Sequence, residues 1–213
     1  MPIGWDEFED VQREMVGQAA AERAYLPTTA VAYDHQGPCA AVMAPLLTRP
    51  DPDEVVPTIV GLFAALQPRR CAIAWQLLLD PPSGPPDRHL DEELSDDGFL
   101  HGVRIVRGEL GDLAAPRWTS TVLGYRREDG RVTAWAEEPV VQPLDQVPCP
   151  AARALRPILD GGGQLAANGL LLDVPGAPFE VFFRPGYLDA SRRLEQHEYV
   201  RVGGRAFPRS MLS

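Results

Sequence analysis

Histidine and carboxylate spacing is the first place to look for chemistry in this chain. Its four histidines are His35, His89, His101 and His197. None stands in a His-x-x-x-His or His-Glu-x-x-His arrangement, which on a helix would present two imidazoles to one zinc ion. His89, Asp91, Glu92 and His101 are near enough in sequence to converge on a hard or borderline metal. A loop crowded with carboxylates meets that description by chance, because solvation accounts for its charges. No metal ligand is assigned. A metal-assisted hydrolase built on the acidic, histidine-bearing stretch 89–101 stands as the alternative reading of function.

Nucleophiles are equally unmarked. There is no Gly-x-Ser-x-Gly elbow. The three cysteines, Cys39, Cys71 and Cys149, are odd in number and far apart, with no Cys-x-x-Cys. That is neither a disulfide scaffold nor a zinc ribbon. Cys39 and Cys71 sit among apolar residues, which raises a thiol pKa and lowers its reactivity. All 20 basic residues are arginine. Lysine's absence excludes a Walker phosphate loop, the kinase strand lysine and a Schiff base. Gly161-Gly162-Gly163 does not join a strand to a helix, so it is read as a loop rather than a dinucleotide site. No catalytic residue and no cofactor is expected.

Charge then bounds the partners. Thirty acidic residues against 20 basic ones give a net charge of −10. Such a surface repels phosphate backbones and anionic lipid headgroups, so nucleic acid and membrane are not expected partners. A protein partner or a homo-oligomer is. Asp91, Glu92, Glu93, Asp96 and Asp97 form the densest acidic stretch and are the candidate binding residues for a basic surface. The leading expectation is a non-enzymatic, acidic, soluble binding or assembly protein acting through protein–protein contacts. The first residues, Met1-Pro2-Ile3-Gly4-Trp5-Asp6-Glu7, are acidic where a signal peptide would be basic. With no apolar run of membrane length, the expected setting is a reduced cytoplasm.

Positioning any such residues falls to elements that hydrophobic spacing predicts. Trp5, Phe8, Val11, Met15, Val16 and Ala19 recur at helical intervals, predicting an amphipathic helix to about Ala24. Thr28 to Asp34 and Cys39 to Leu47 flank His35-Gln36-Gly37 and read as a β-hairpin. Asp51-Pro52-Asp53-Glu54 is a helix start: Asp51 caps, Pro52 takes the first turn, and Glu54 completes a capping box. Val55, Val56, Ile59, Val60, Phe63 and Leu66 give that helix its apolar face, and Gln67-Pro68 ends it.

Cys71 to Leu79 is almost wholly apolar, the mark of a central strand buried on both faces. Its one polar residue, Gln76, is expected to be a structural crosslink, because a buried amide must find partners. Asp80 to Phe99 reads as a long loop. Leu100 to Glu109, Trp118 to Arg126 and Val132 to Ala136 follow as strands, the last two joined through Asp129-Gly130. Arg104, Arg107, Arg126 and Arg127 are expected to reach solvent. Val140 to Pro150 reads as a proline-rich linker. Beyond it, a short helix is predicted from Ala151 to Leu155 and a hairpin from Leu170 to Arg184 around Pro175-Gly176. A helix from Leu188 to His197 and an edge strand pair around Gly203-Gly204 complete the chain.

The predicted class is α+β: a mixed, mostly antiparallel sheet with helices packed on it, rich in hairpins. Residues 1–142 form the core domain and 143–213 a C-terminal extension packing on it, a single compact domain being the other possibility. In element order alone, helix–hairpin–helix–three strands resembles the roadblock and longin scaffolds, a likeness that transfers no function.

Overall fold

The computed structural model describes residues 3–22, 24–44, 52–78, 100–111, 116–137, 139–147, 154–159, 180–185, 187, 199–202 and 205–208. Most of the regular structure among the described residues is strand. β1 (Thr28–Asp34) and β2 (Gly37–Ala44) form the predicted hairpin. β3 (Arg70–Leu78) lies on the other side of β1, and β4 (Leu100–Leu110) and β5 (Pro116–Glu128) continue outward. β6 (Arg131–Trp135) and β7 (Val140–Pro143) run in succession along the outer side of β5. β8 (Glu180–Phe183) closes the opposite edge beside β2. The sheet order is β6-β5-β4-β3-β1-β2-β8, with β7 also on β5. Every described pairing is antiparallel, which corrects the expectation of a mixed sheet. β9 (Tyr199–Val202) and β10 (Arg205–Pro208) pair with each other as a separate hairpin, where a terminal strand pair is predicted.

Among the described residues, two α-helices accompany the sheet. α1 (Phe8–Ala21) packs Phe8 and Val16 against Val31, Tyr33, Ala72, Ala74, Val103, Ile105, Leu123 and Tyr125. α2 (Pro52–Leu66) packs Val56, Ile59, Leu62, Phe63 and Leu66 against Ala30, Ala32, Ile73, Trp75 and Val106. Adjacent strand residues such as Ala72 and Ile73 fall in different clusters. Side chains alternate across a sheet, so the helices lie on opposite faces. β3 is therefore covered on both sides, and Cys71 to Trp75 are all fully buried, as the apolar run predicts.

α1 differs in phase from its predicted stripe. Its buried residues are Phe8, Gln12, Val16 and Ala20, an unbroken i, i+4 series, while Val11, Met15 and Ala19 flank it half-buried. Gln76 meets its expectation: its Oε1 accepts the Leu26 N–H at 2.9 Å, tying the segment after α1 to β3. Asp129 (φ 49°) and Gly130 (φ 70°) make the β5–β6 turn, both in the left-handed region that an Asp-Gly hairpin turn requires. Gly108 lets a ring lie flat on the sheet, since a Cβ there would meet the Trp118 ring at 2.6 Å.

Three arginine positions correct the solvent-exposed expectation. Arg127 is only 4 % exposed, and its Nη2 donates to the Ala20 carbonyl at 3.2 Å, at the end of α1. A cation there meets the negative end of the helix dipole. Arg104 is half-buried and donates from Nη1 to Ser120 Oγ at 2.8 Å. Arg107 lies with its guanidinium 5.5 Å from the Trp5 ring centre, its Nε and Nη2 buried beneath it. Arg126 is exposed as predicted.

The predicted linker is also corrected. Val140–Pro143 is strand β7, and Leu144 and Val147 after it are buried on the α2 face. Prolines at 139 and 143 bound this strand rather than abolish it, as edge strands allow. Leu155, Ile158 and Leu159 join the same apolar cluster, as does Tyr187. The predicted cap Asp51 lies outside the described residues.

Candidate functional site

β8 is delivered to the sheet from far along the sequence and is held at both its backbone and its end. Its register is Phe183 opposite Ala40, Phe182 opposite Ala41, Val181 opposite Val42 and Glu180 opposite Met43. Large rings thus sit across from alanines, which leave room for them. The Arg184 N–H donates to the Cys39 carbonyl at 3.0 Å. In an antiparallel pair, hydrogen-bonded and non-hydrogen-bonded positions alternate. Glu180, Phe182 and Arg184 therefore turn their backbone groups inward to β2. Val181 and Phe183 turn theirs outward, to an edge with no partner among the described residues.

Arg184 fixes this strand to the β1–β2 turn. Its Nη2 lies 2.6 Å from Asp34 Oδ2 and its Nη1 3.0 Å from Asp34 Oδ1, a bidentate pair. Asp34 Oδ1 also accepts the Gln36 N–H at 2.8 Å. The donated Arg184 hydrogen bonds hold the Asp34 carboxyl below its ordinary pKa, outweighing the cost of its partial burial. The same guanidinium stands 5.3 Å from the Tyr187 ring centre.

Beside this pair a groove of about 510 Å³ opens. Its walls include Ile3, Pro38, Ala41, Phe182 and Pro185, with Gln36 and Arg184 as its polar members. Phe182 is 50 % exposed, an unusual state for a phenylalanine on a strand. Cys39 also borders the groove, but its sulfur is not poised to react. It is buried, sits 3.3 Å from the Ala32 carbonyl, and burial raises its pKa despite a hydrogen bond with Tyr187. Burial pushes the Cys71 thiol up as well. An apolar groove beside a strand edge with no partner among the described residues has the shape that takes an extended segment.

Elsewhere, a smaller concavity of about 260 Å³ is lined by Pro116, Trp118, Leu144, Asp145 and Arg156. The β7 edge exposes Val140 by 54 % and Val141 by 60 %. Its flanking prolines lack the N–H that an added strand would need, so this edge is guarded where β8 is not.

The two described histidines, His35 and His101, do not line this groove. Asp91, Glu92, Glu93, Asp96 and Asp97 lie outside the described residues, as does His89. His101 belongs to β4, is buried, and stacks on Tyr125 with ring centres 5.4 Å apart. His35 is exposed in the β1–β2 turn. Among the described residues, no three His, Cys, Asp or Glu side chains are grouped to hold a metal ion.

The groove residues escaped sequence reasoning because nothing local links residues 34 and 184. The only signal was Phe182-Phe183-Arg184, two rings and a cation in a short strand.

No helix among the described residues is long and apolar enough to cross a membrane. No protein-family model, no curated protein and no solved structure matches the chain.

Proposed function

We propose that the protein is a non-enzymatic binding or assembly protein that acts through protein–protein contacts at the β2–β8 end of its sheet. The observation that carries this reading is Phe182, half-exposed beside an apolar groove and on a strand whose outer backbone groups have no partner among the described residues. Exposed apolar surface rimmed by polar groups marks interaction sites. Extended segments add readily to such an edge, main-chain bonds giving affinity and side-chain pockets giving specificity. The acidic residues Asp91, Glu92, Glu93, Asp96 and Asp97 serve the same activity by drawing in basic partner surfaces. The free, buried thiols of Cys39 and Cys71 accord with a reduced cytoplasmic setting.

Affinity capture with wild type and Phe182→Asp, matched for thermal stability, tests the reading. A partner retained by wild type and lost by the variant supports it. Identical capture profiles would remove the groove from the function.

A further inference from the structure

We infer that the occupant of the β8 edge is β8 of a second copy, giving a twofold dimer in which two sheets join edge to edge. This rests on the binding reading above and names its partner. The inference comes from the parity of β8. Only Val181 and Phe183 present outward N–H and C=O groups, as the inward Arg184 N–H to Cys39 bond requires. Antiparallel pairing of two β8 strands about a twofold axis at Phe182 sets Val181 of each copy opposite Phe183 of the other. Both outward residues then exchange both of their backbone hydrogen bonds.

That single register also answers the other open features of the edge. It sets Phe182 opposite Phe182, at a non-hydrogen-bonded position where strands approach to about 4.5 Å between Cα atoms. The half-exposed ring gains an aromatic neighbour there, a favourable cross-strand pairing. It also sets acidic residue 180 of one copy opposite basic residue 184 of the other, twice by symmetry. A one-residue slip would present Phe182 and Arg184 backbone groups that are already bound to β2. The patch is thus self-complementary in backbone and apolar contact, which an isologous interface demands. It is small, so the dimer is a weak, concentration-dependent one. The net charge of −10 opposes it at long range, and physiological salt screens that repulsion beyond about 8 Å.

Sedimentation of the full chain at physiological ionic strength reads the dimer, and four variants read its register. Val181→Pro removes an outward donor without touching the β2 ladder, and is expected to abolish the dimer while thermal unfolding stays near wild type. Glu180→Arg sets a new cation opposite position 184 of the other copy, twice by symmetry, and is expected to weaken the dimer about tenfold. It serves should Val181→Pro fail to fold. Phe182→Cys is expected to crosslink to itself under mild oxidation, the twofold Cα separation falling in the disulfide range of roughly 4.4–6.8 Å. Phe183→Cys, opposite Val181, is not.

A monomer at all concentrations overturns the proposal, as does a dimer unaffected by both edge variants or a Phe182→Cys chain that does not crosslink. A monomer that still loses a captured partner on Phe182→Asp would reject the second copy alone and leave the binding reading standing.

Discussion

Asp34 and Arg184 are 150 positions apart in sequence and form a two-pronged ion pair across the β1–β2 turn. Their side chains are 18 % and 27 % exposed, so solvent screens the pair only in part. It couples the start of the sheet to β8, the strand at its far edge.

A stability loss at acid pH follows. The folded pKa of Asp34 is depressed, so the pair's contribution is fully present above the unfolded value of about 3.9 and disappears as pH falls through the folded value. Asp34→Asn is expected to cost about 1 kcal/mol at neutral pH, allowing for partial exposure. The difference between wild type and variant should shrink below about pH 4. Urea midpoints for both proteins across that range check this. A difference that stays constant with pH would show that the carboxylate's charge is not what stabilises the edge.

Trp5 pins the segment before α1 to the sheet. Its ring meets Tyr33 edge-on at 5.3 Å and lies 5.4 Å from the Arg70 guanidinium and 5.5 Å from that of Arg107. Trp5→Ala is expected to destabilise by about 2 kcal/mol, from lost apolar burial and lost cation–π attraction. Trp5→Phe should recover roughly half of that. Chemical denaturation measures both, and a Trp5→Phe variant as stable as wild type would reject the indole's special role.

Two glycine substitutions should act in opposite directions. Gly17 lies within α1 with nothing within 4 Å of an added Cβ. Gly17→Ala is therefore expected to stabilise by about 0.5–1 kcal/mol through helix propensity. Gly130 has φ 70°, and an added Cβ would sit 3.3 Å from the Ala20 carbonyl. Gly130→Ala should cost about 1 kcal/mol. Thermal unfolding of the pair gives the signs directly, and a stabilising Gly130→Ala would contradict the turn geometry.

Much of the scaffold was legible where local physics decides. The apolar run from Cys71 to Leu79 announced a central strand, which is covered on both faces from Cys71 to Trp75, Gln76 a crosslink, and Asp129-Gly130 a tight turn. Pairing over long distances was not legible. Arg127 reads as a surface cation until the end of α1 arrives beside it. Val140–Pro143 reads as linker because its prolines mask an edge strand. Phe182 and Arg184 acquire meaning only when β2 supplies Ala41 and the β1–β2 turn supplies Asp34.

Charge and shape should separate in the binding activity. Replacing Asp91, Glu92, Glu93, Asp96 and Asp97 by Asn or Gln is expected to slow association with a basic partner at low salt and to flatten its salt dependence. Folding stability should change by no more than about 0.5 kcal/mol. Stopped-flow association at several ionic strengths checks the claim, and an unchanged low-salt rate would restrict recognition to the β8 edge.

Residue-resolved amide exchange along β8 tests the central claim most directly. The outward amides of Val181 and Phe183 should exchange fast in dilute solution and slow sharply as concentration rises. The amides of Phe182 and Arg184, already bonded to β2, should stay protected throughout. If all four amides behave alike, or if Val181 and Phe183 remain fast at high concentration and with every captured partner, β8 is not a recognition edge.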